Sequence, residues 1–149
     1  MTLANADSGK TRIGIVVSKV YPEITEEMLK ISLARAKEKK AEVKFVLHIG
    51  GSFDTPLAVK RLLERTDIDG VVVLGSVIKG ETGHDEIVAG NAARKIADLS
   101  VQYSKPVGLG ISGPGMTRKQ AVQRIEKFAS DSVDAVLDAL EEFKKLEAD

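Results

Sequence analysis

The chain has 149 residues and no cysteine, which excludes disulfides, thiol nucleophiles and thiolate metal sites. Histidine is nearly as scarce, with only two, and no close cluster of Asp, Glu and His accompanies either. A dedicated transition-metal site is therefore not expected. Charge of one sign is not in excess: Lys plus Arg and Asp plus Glu both number 22. No basic surplus points to nucleic acid or to a membrane surface. No apolar run is long enough to span a bilayer, and no segment reads as a signal peptide. The lack of cysteine fits the cytoplasm. A net charge of zero does little to discourage self-association.

What is present alternates. Short apolar runs at Ile13–Val17, Val43–Ile49, Val71–Leu74 and Val107–Ile111 read as strands. Between them lie helical patterns. Pro22–Lys40 carries Leu29, Leu33 and Ala36 at helical spacing, and Pro56 opens a helix through Arg65. The segment after His84 carries the stripe Val88, Ala92, Ile96, Leu99 and Tyr103. Thr117 with Gln120 reads as a capping box that opens a helix through about Phe128. Ser130-Asp131 reads as a break or a fresh N-cap, and Val133, Val136, Leu137, Leu140 and Phe143 carry a last helix. Gly113-Pro114-Gly115 reads as a loop. Four strands separated by helices predict an α/β domain: one four-stranded parallel sheet, flanked by helices, with right-handed crossovers. Met1–Arg12 is polar and reads as a flexible arm, leaving residues 13–149 as the single domain.

The most informative stretch is Val71–Val88. Its apolar run gives way to Lys79-Gly80-Glu81-Thr82-Gly83 and then His84. Thr82 with Asp85 three residues later reads as a capping box, which places His84 in the first turn of a helix. That turn lies at the carboxyl edge of a parallel sheet, where ligands bind in open α/β folds. Free N–H groups and the positive helix end favour an anion there, and also favour a neutral imidazole able to take a proton. Strand–Gly–helix junctions occur throughout α/β proteins, however, and a lone histidine at such a place is more often a surface residue.

Other candidates are weaker. Gly108-Leu109-Gly110-Ile111-Ser112-Gly113 fits G-x-G-x-x-G, but it follows the fourth strand and no acidic residue follows on a further strand, so glycines easing a strand into a loop are the better reading. Asp54 suits either a role as acceptor for sugar-like hydroxyls or, with Thr55, a cap for the helix that Pro56 begins. Arg124 suits a bidentate pair with phosphate, against the commoner reading of an exposed helix arginine. His48 reads as a strand-end residue without a role. The small residues Ala89, Gly90, Ala92, Ala93 and Ala97 invite close approach of another helix. Packing within the chain accounts for them equally, but an oligomer is favoured.

Four segments in order resemble the lumazine synthases, most closely the archaeal members. They are Gly51–Val59, Gly75–His84, Asn91-Ala92-Ala93, and Gly110–Thr117 followed by Gln120-Ala121 and Arg124. The resemblance implies a flavodoxin-like fold and the condensation of 5-amino-6-ribitylaminouracil with 3,4-dihydroxy-2-butanone 4-phosphate, without a cofactor. It implies that His84 transfers protons, that Gly80, Glu81 and Thr82 hold the phosphate through their backbone, and that Arg124 binds it too. Ser52, Phe53 and Asp54 would hold the pyrimidine and ribityl chain, with Val77 and Ile78 packed near the ring. Leu109 and Ile111 would be lent by a neighbouring subunit, so the site implies a pentamer, free or built into a 60-subunit shell.

Three departures from the family pattern stand out. Val20-Tyr21 occupies the place of an aromatic residue followed by Asn, where the ring stacks on the pyrimidine. An unshifted backbone leaves Tyr21 pointing away, but Pro22 restricts it to extended conformations, and the expectation is that this re-aims it into the site. Gly50 replaces a Pro. The lysine after the arginine is missing, with Lys127 the nearest candidate. Val20 and the missing lysine favour an alternative: a flavin- or lumazine-binding shell protein with weak or lost synthase activity.

Overall fold

The computed structural model describes residues 9–147. Strands β1 (Arg12–Ser18), β2 (Glu42–Ile49), β3 (Gly70–Ile78) and β4 (Val107–Met116) alternate with helices α1 (Pro22–Glu38), α2 (Thr55–Leu63), α3 (His84–Tyr103), α4 (Arg118–Gln123) and α5 (Ile125–Phe143). The sheet has the order β2-β1-β3-β4, and every pairing is parallel. β1 and β3, in the middle, are buried along almost their whole length, as continuous Val/Ile runs require.

Side chains of a strand alternate between faces, and the core divides accordingly. Val16, Val71, Val73 and Val77 pack with Ala58, Val59 and Leu62 of α2 and with Ala89, Ala92, Ile96 and Leu99 of α3. On the other face Ile13, Ile15, Val17, Val72 and Leu74 pack with Ile24 and Met28 of α1 and with Ala129, Val133 and Val136 of α5. The stripe read on α3 is thus a core face, and Ala89 and Ala92 belong to it. Gly90 and Ala97 remain exposed.

The structure corrects the reading of several segments. Met1–Ser8 of the expected arm lies outside the described residues, whereas Arg12, assigned to that arm, is 3% exposed and opens β1. β3 continues through Ile78, and β4 through Gly113-Pro114-Gly115, which was read as a loop. Pro114, which has no N–H to donate, is tolerated because β4 is an edge strand. Ile78 pairs with Met116, and the Lys79 N–H donates to the Met116 carbonyl at 2.7 Å. No break occurs at Ser130-Asp131: both lie within α5, where Lys127 Nζ and Asp131 Oδ2 pair at 2.9 Å. The interruption falls at Arg124, between α4 and α5.

The G-x-G-x-x-G pattern has a packing explanation. A Cβ on Gly108 would stand 1.9 Å from the Ser132 carbonyl oxygen, and one on Gly110 would stand 3.1 Å from Ser132 Oγ. These glycines let α5 lie directly on β4. No dinucleotide loop is formed.

Candidate active site

The carboxyl ends of β1 and β3 open on a cavity of about 450 Å³. The chain after β1 supplies Val20 and Tyr21, and the turn after β2 supplies Gly51, Ser52 and Phe53. The end of β3 supplies Ser76, Val77 and Ile78, and the junction into α3 supplies Gly80, Thr82, His84, Asp85 and Val88. Most of these residues were picked out from the sequence, and the fold brings them to one place.

The turn after β2 is a single 3₁₀ turn, Ser52–Asp54, running into α2. Thr55 Oγ1 donates to the Ser52 carbonyl at 2.7 Å, which closes this turn. Asp54 makes no side-chain cap on α2, so the capping alternative fails for it. It is exposed and does not line the cavity. Phe53 is 56% exposed at the rim. Ser52 is 5% exposed, and its hydroxyl has no hydrogen-bond partner. The hydroxyl sits over Gly75, where an added Cβ would stand 2.6 Å from Ser52 Oγ. Buried hydroxyls are normally paired, so this one is a group waiting for a partner. Deeper in the wall, Ser112 Oγ and Ser76 Oγ hydrogen-bond across β3 and β4 at 3.0 Å.

The junction before α3 differs from the expected capping box. Gly83 is the N-cap, and Thr82 Oγ1 accepts from the His84 N–H at 3.4 Å. Asp85 turns away from Thr82, and its Oδ2 accepts from the Gly115 N–H at 2.9 Å. None of the N–H groups of Gly80, Glu81, Thr82 and Gly83 donates to another described residue. Together with the positive end of a 20-residue helix they form an anion-receptive edge. His84 is exposed to the cavity mouth beside it. Glu81 is exposed and does not line the cavity.

Tyr21 is not extended, contrary to the expectation drawn from Pro22. It adopts φ 57°, ψ 60°, in the left-handed region, as the N-cap of α1. Pro22 disfavours the right-handed helical conformation for Tyr21. The left-handed turn is held instead by hydrogen bonds from the Ile24 and Thr25 N–H groups to the Tyr21 carbonyl, at 2.9 and 3.0 Å. Such conformations in a bulky residue concentrate at functional sites. Here both Val20 and Tyr21 reach the cavity wall. The Arg118 guanidinium lies 5.9 Å from the centre of the Tyr21 ring and also pairs with Glu23. A backbone hydrogen bond and, after it, Arg118 hold the Glu23 carboxyl below its usual pKa.

Besides Asp54 and Glu81, three residues expected at the site are not part of this chain's own cavity. Arg124 is exposed, and its Nη1 donates to the Gln120 carbonyl at 3.4 Å. Ile111 is 5% exposed in the core against α2 and α3. Leu109 is 43% exposed on the β4 edge, in a separate groove with Lys127, Phe128 and Asp131. The cavity lining contains no lysine or arginine at all. Asp85 and Ser76, which sequence reasoning did not assign to the site, do line it. The signal for Asp85 was its place next to His84, masked by the capping-box pattern. Ser76 carried no signal beyond its place at the end of an apolar run.

The family described as 6,7-dimethyl-8-ribityllumazine synthase matches residues 10–147. A protein of that name from Saccharolobus islandicus (strain L.S.2.15 / Lassen #1) is 52% identical over 136 residues, covering 91% of this chain and 88% of the relative. The one from Staphylothermus marinus is 50% identical, with 91% of each chain covered. The one from Sulfolobus acidocaldarius is 50% identical over 140 residues, covering 94% of this chain and 89% of the relative. With these likenesses running through every segment that builds the cavity, the chain belongs to the 6,7-dimethyl-8-ribityllumazine synthase family.

Proposed function

We propose that this chain makes 6,7-dimethyl-8-ribityllumazine in riboflavin biosynthesis. It joins 5-amino-6-ribitylaminouracil to 3,4-dihydroxy-2-butanone 4-phosphate, releasing phosphate and water. The observation that carries this reading is the juxtaposition of His84, at the mouth of one cavity, with the Gly80–Gly83 turn, whose N–H groups have no partner among the described residues. An amine attacking a ketone needs a proton removed from nitrogen and delivered to oxygen, which suits an imidazole. Phosphate departs as an anion, which suits backbone donors at a helix end. Holding two substrates in register supplies the rest as effective molarity. In this reading Tyr21, Ser52, Phe53, Val77 and Ile78 surround the pyrimidine.

The reading also calls for a second copy of the chain. The substrate carries a phosphate, while the cavity has no lysine or arginine of its own among the described residues. Leu109 and Lys127 share a groove on the β4 edge, and Arg124 lies three residues before Lys127. A neighbouring chain presenting that edge brings Arg124 and Leu109 to the cavity. We take the assembly to be a pentamer, with a 60-subunit shell as its larger form, and the cysteine-free composition to fit the cytoplasm. Among the described residues no helix is long and apolar enough to cross a membrane. The alternative of a shell protein without synthase activity rested on Val20 and the missing lysine, and it is not favoured: the relatives are named as synthases.

Mixing the two substrates with the protein and following lumazine absorbance tests the activity. No product above the uncatalysed rate refutes it. Light scattering tests the assembly: a monomer at micromolar concentration refutes the shared site, and a mass near twelve pentamers identifies the shell.

A further inference from the structure

One charged side chain of the cavity has no use in the mechanism so far. Asp85 is 7% exposed and is the only buried carboxylate among the described residues. No cation pairs with it, and no lysine or arginine lines the cavity beside it. Its single hydrogen bond is the one that Oδ2 accepts from the Gly115 N–H. Burying a carboxylate is costly unless a partner compensates it, and the amino end of α3 offsets only part of that cost. An asparagine in the same place would accept from Gly115 equally well without the penalty. The brace on β4 therefore explains the side chain's position but not its charge. The other carboxylate oxygen has no protein partner, in a residue that forms the cavity wall next to His84.

We propose that Asp85 contacts substrate, accepting a hydrogen bond from the 5-amino group of the ribitylaminouracil. This rests on the reaction proposed above. Of the two substrates, the phosphate-bearing one is an anion that a carboxylate repels, whereas the diamine is neutral and rich in N–H donors. When the amine nitrogen attacks, its lone pair forms the new C–N bond and the ketone's π pair moves to oxygen. The nitrogen becomes positive until its proton passes to His84, which returns it to that oxygen. A fixed carboxylate beside the nitrogen favours this charged state over the neutral amine, so its contribution is larger in the transition state than in the ground state.

The test is Asp85→Asn, which retains the acceptor for Gly115. Calorimetric titration, with no butanone phosphate present, compares 5-amino-6-ribitylaminouracil with its analogue lacking the 5-amino group. Wild-type protein is expected to prefer the amino compound roughly tenfold or more, the size of a hydrogen bond to a charged group. The Asn variant is expected to bind the two within about twofold, with kcat lowered about tenfold and KM for the butanone phosphate little changed. An Asn variant that keeps the preference, or keeps wild-type kcat, overturns the proposal. So does wild-type protein that binds both compounds equally, an arm that needs no variant. Wild-type protein that shows the preference yet forms no lumazine supports the Asp85 contact while refuting the proposed function.

Discussion

At the amino end of the sheet, Lys105 Nζ donates to the Leu63 and Arg65 carbonyls at 2.9 and 2.8 Å. The Arg12 N–H donates to Asp69 Oδ2 at 2.7 Å, and its Nη2 donates to the Thr66 carbonyl at 3.4 Å. Arg12 Nε makes no hydrogen bond but stands 3.9 Å from the Asp69 carboxylate. At the carboxyl end of the same strands the pattern is reversed. Among the described residues the Ser52 hydroxyl and four successive N–H groups have no partner, and Asp85 uses one oxygen of two. Each end buries one side-chain atom without a hydrogen bond, Arg12 Nε and Ser52 Oγ, but only the first has an opposite charge close by. The carboxyl end also presents exposed donors at Gly80–Gly83 and a free carboxylate oxygen on Asp85, so its bonding capacity is turned outward to the cavity rather than inward to the fold. The contrast separates the half of the molecule that maintains the fold from the half that binds.

Substitutions at the two ends should therefore fail in different ways. The largest expected effect is that of His84→Ala, which should lower turnover by roughly 10²-fold while assembly and melting temperature hold. Unchanged turnover would break the contrast at its centre. Next comes Lys105→Met at the amino end. Burial holds the Lys105 pKa below its usual value, against the opposing pull of Asp69 and Asp67. Losing its two contacts with carbonyls should cost about 1.5–3 kcal/mol of stability, read as a lower melting temperature, with kcat per folded molecule unchanged. A loss of kcat without a loss of stability would mean that the ends are not separate.

Arg124→Ala sharpens the comparison, because Arg124 lies outside its own chain's cavity. It should raise KM for the butanone phosphate by roughly tenfold, as one lost charge-assisted contact would. Mixed oligomers of the His84→Ala and Arg124→Ala chains should regain activity through sites that receive neither change. No recovery on mixing would show that sites are not shared. The smallest effect is expected at the rim: Tyr21→Ala should weaken pyrimidine binding by about 0.5–1.5 kcal/mol beyond the lost contact area, with Val20→Ala nearly silent. The reverse ranking in a titration would make Val20 the wall that matters.

The parallel sheet and the place of His84 were legible because they rest on local signals: apolar runs, glycine breaks and helical stripes. Legibility ended wherever two distant segments met. Pro114 and its flanking glycines look like a loop until β3 is seen to carry β4 past Ile111 through the Ile78–Met116 pairing. Asp85 fits a capping box until Gly115, thirty residues away, offers its N–H. Pro22 correctly removed one conformation for Tyr21, but the choice between extended and left-handed was made by hydrogen bonds from the first turn of α1. That Leu109, Ile111 and Arg124 stay away from the cavity follows from the fold of a single chain, which no local pattern encodes.

The missing methyl group at Gly75 has a consequence for anyone who wishes to reshape this protein. Ser52 Oγ occupies the space that a Cβ at Gly75 would need, and Ile111 Cγ1, at 3.4 Å from that Cβ position, closes off the far side. Gly75→Ala would have to displace Ser52, which lines the cavity. A residue outside the lining thus sets where a residue of the wall can stand, which offers a handle for reshaping the chamber without touching the groups at its mouth.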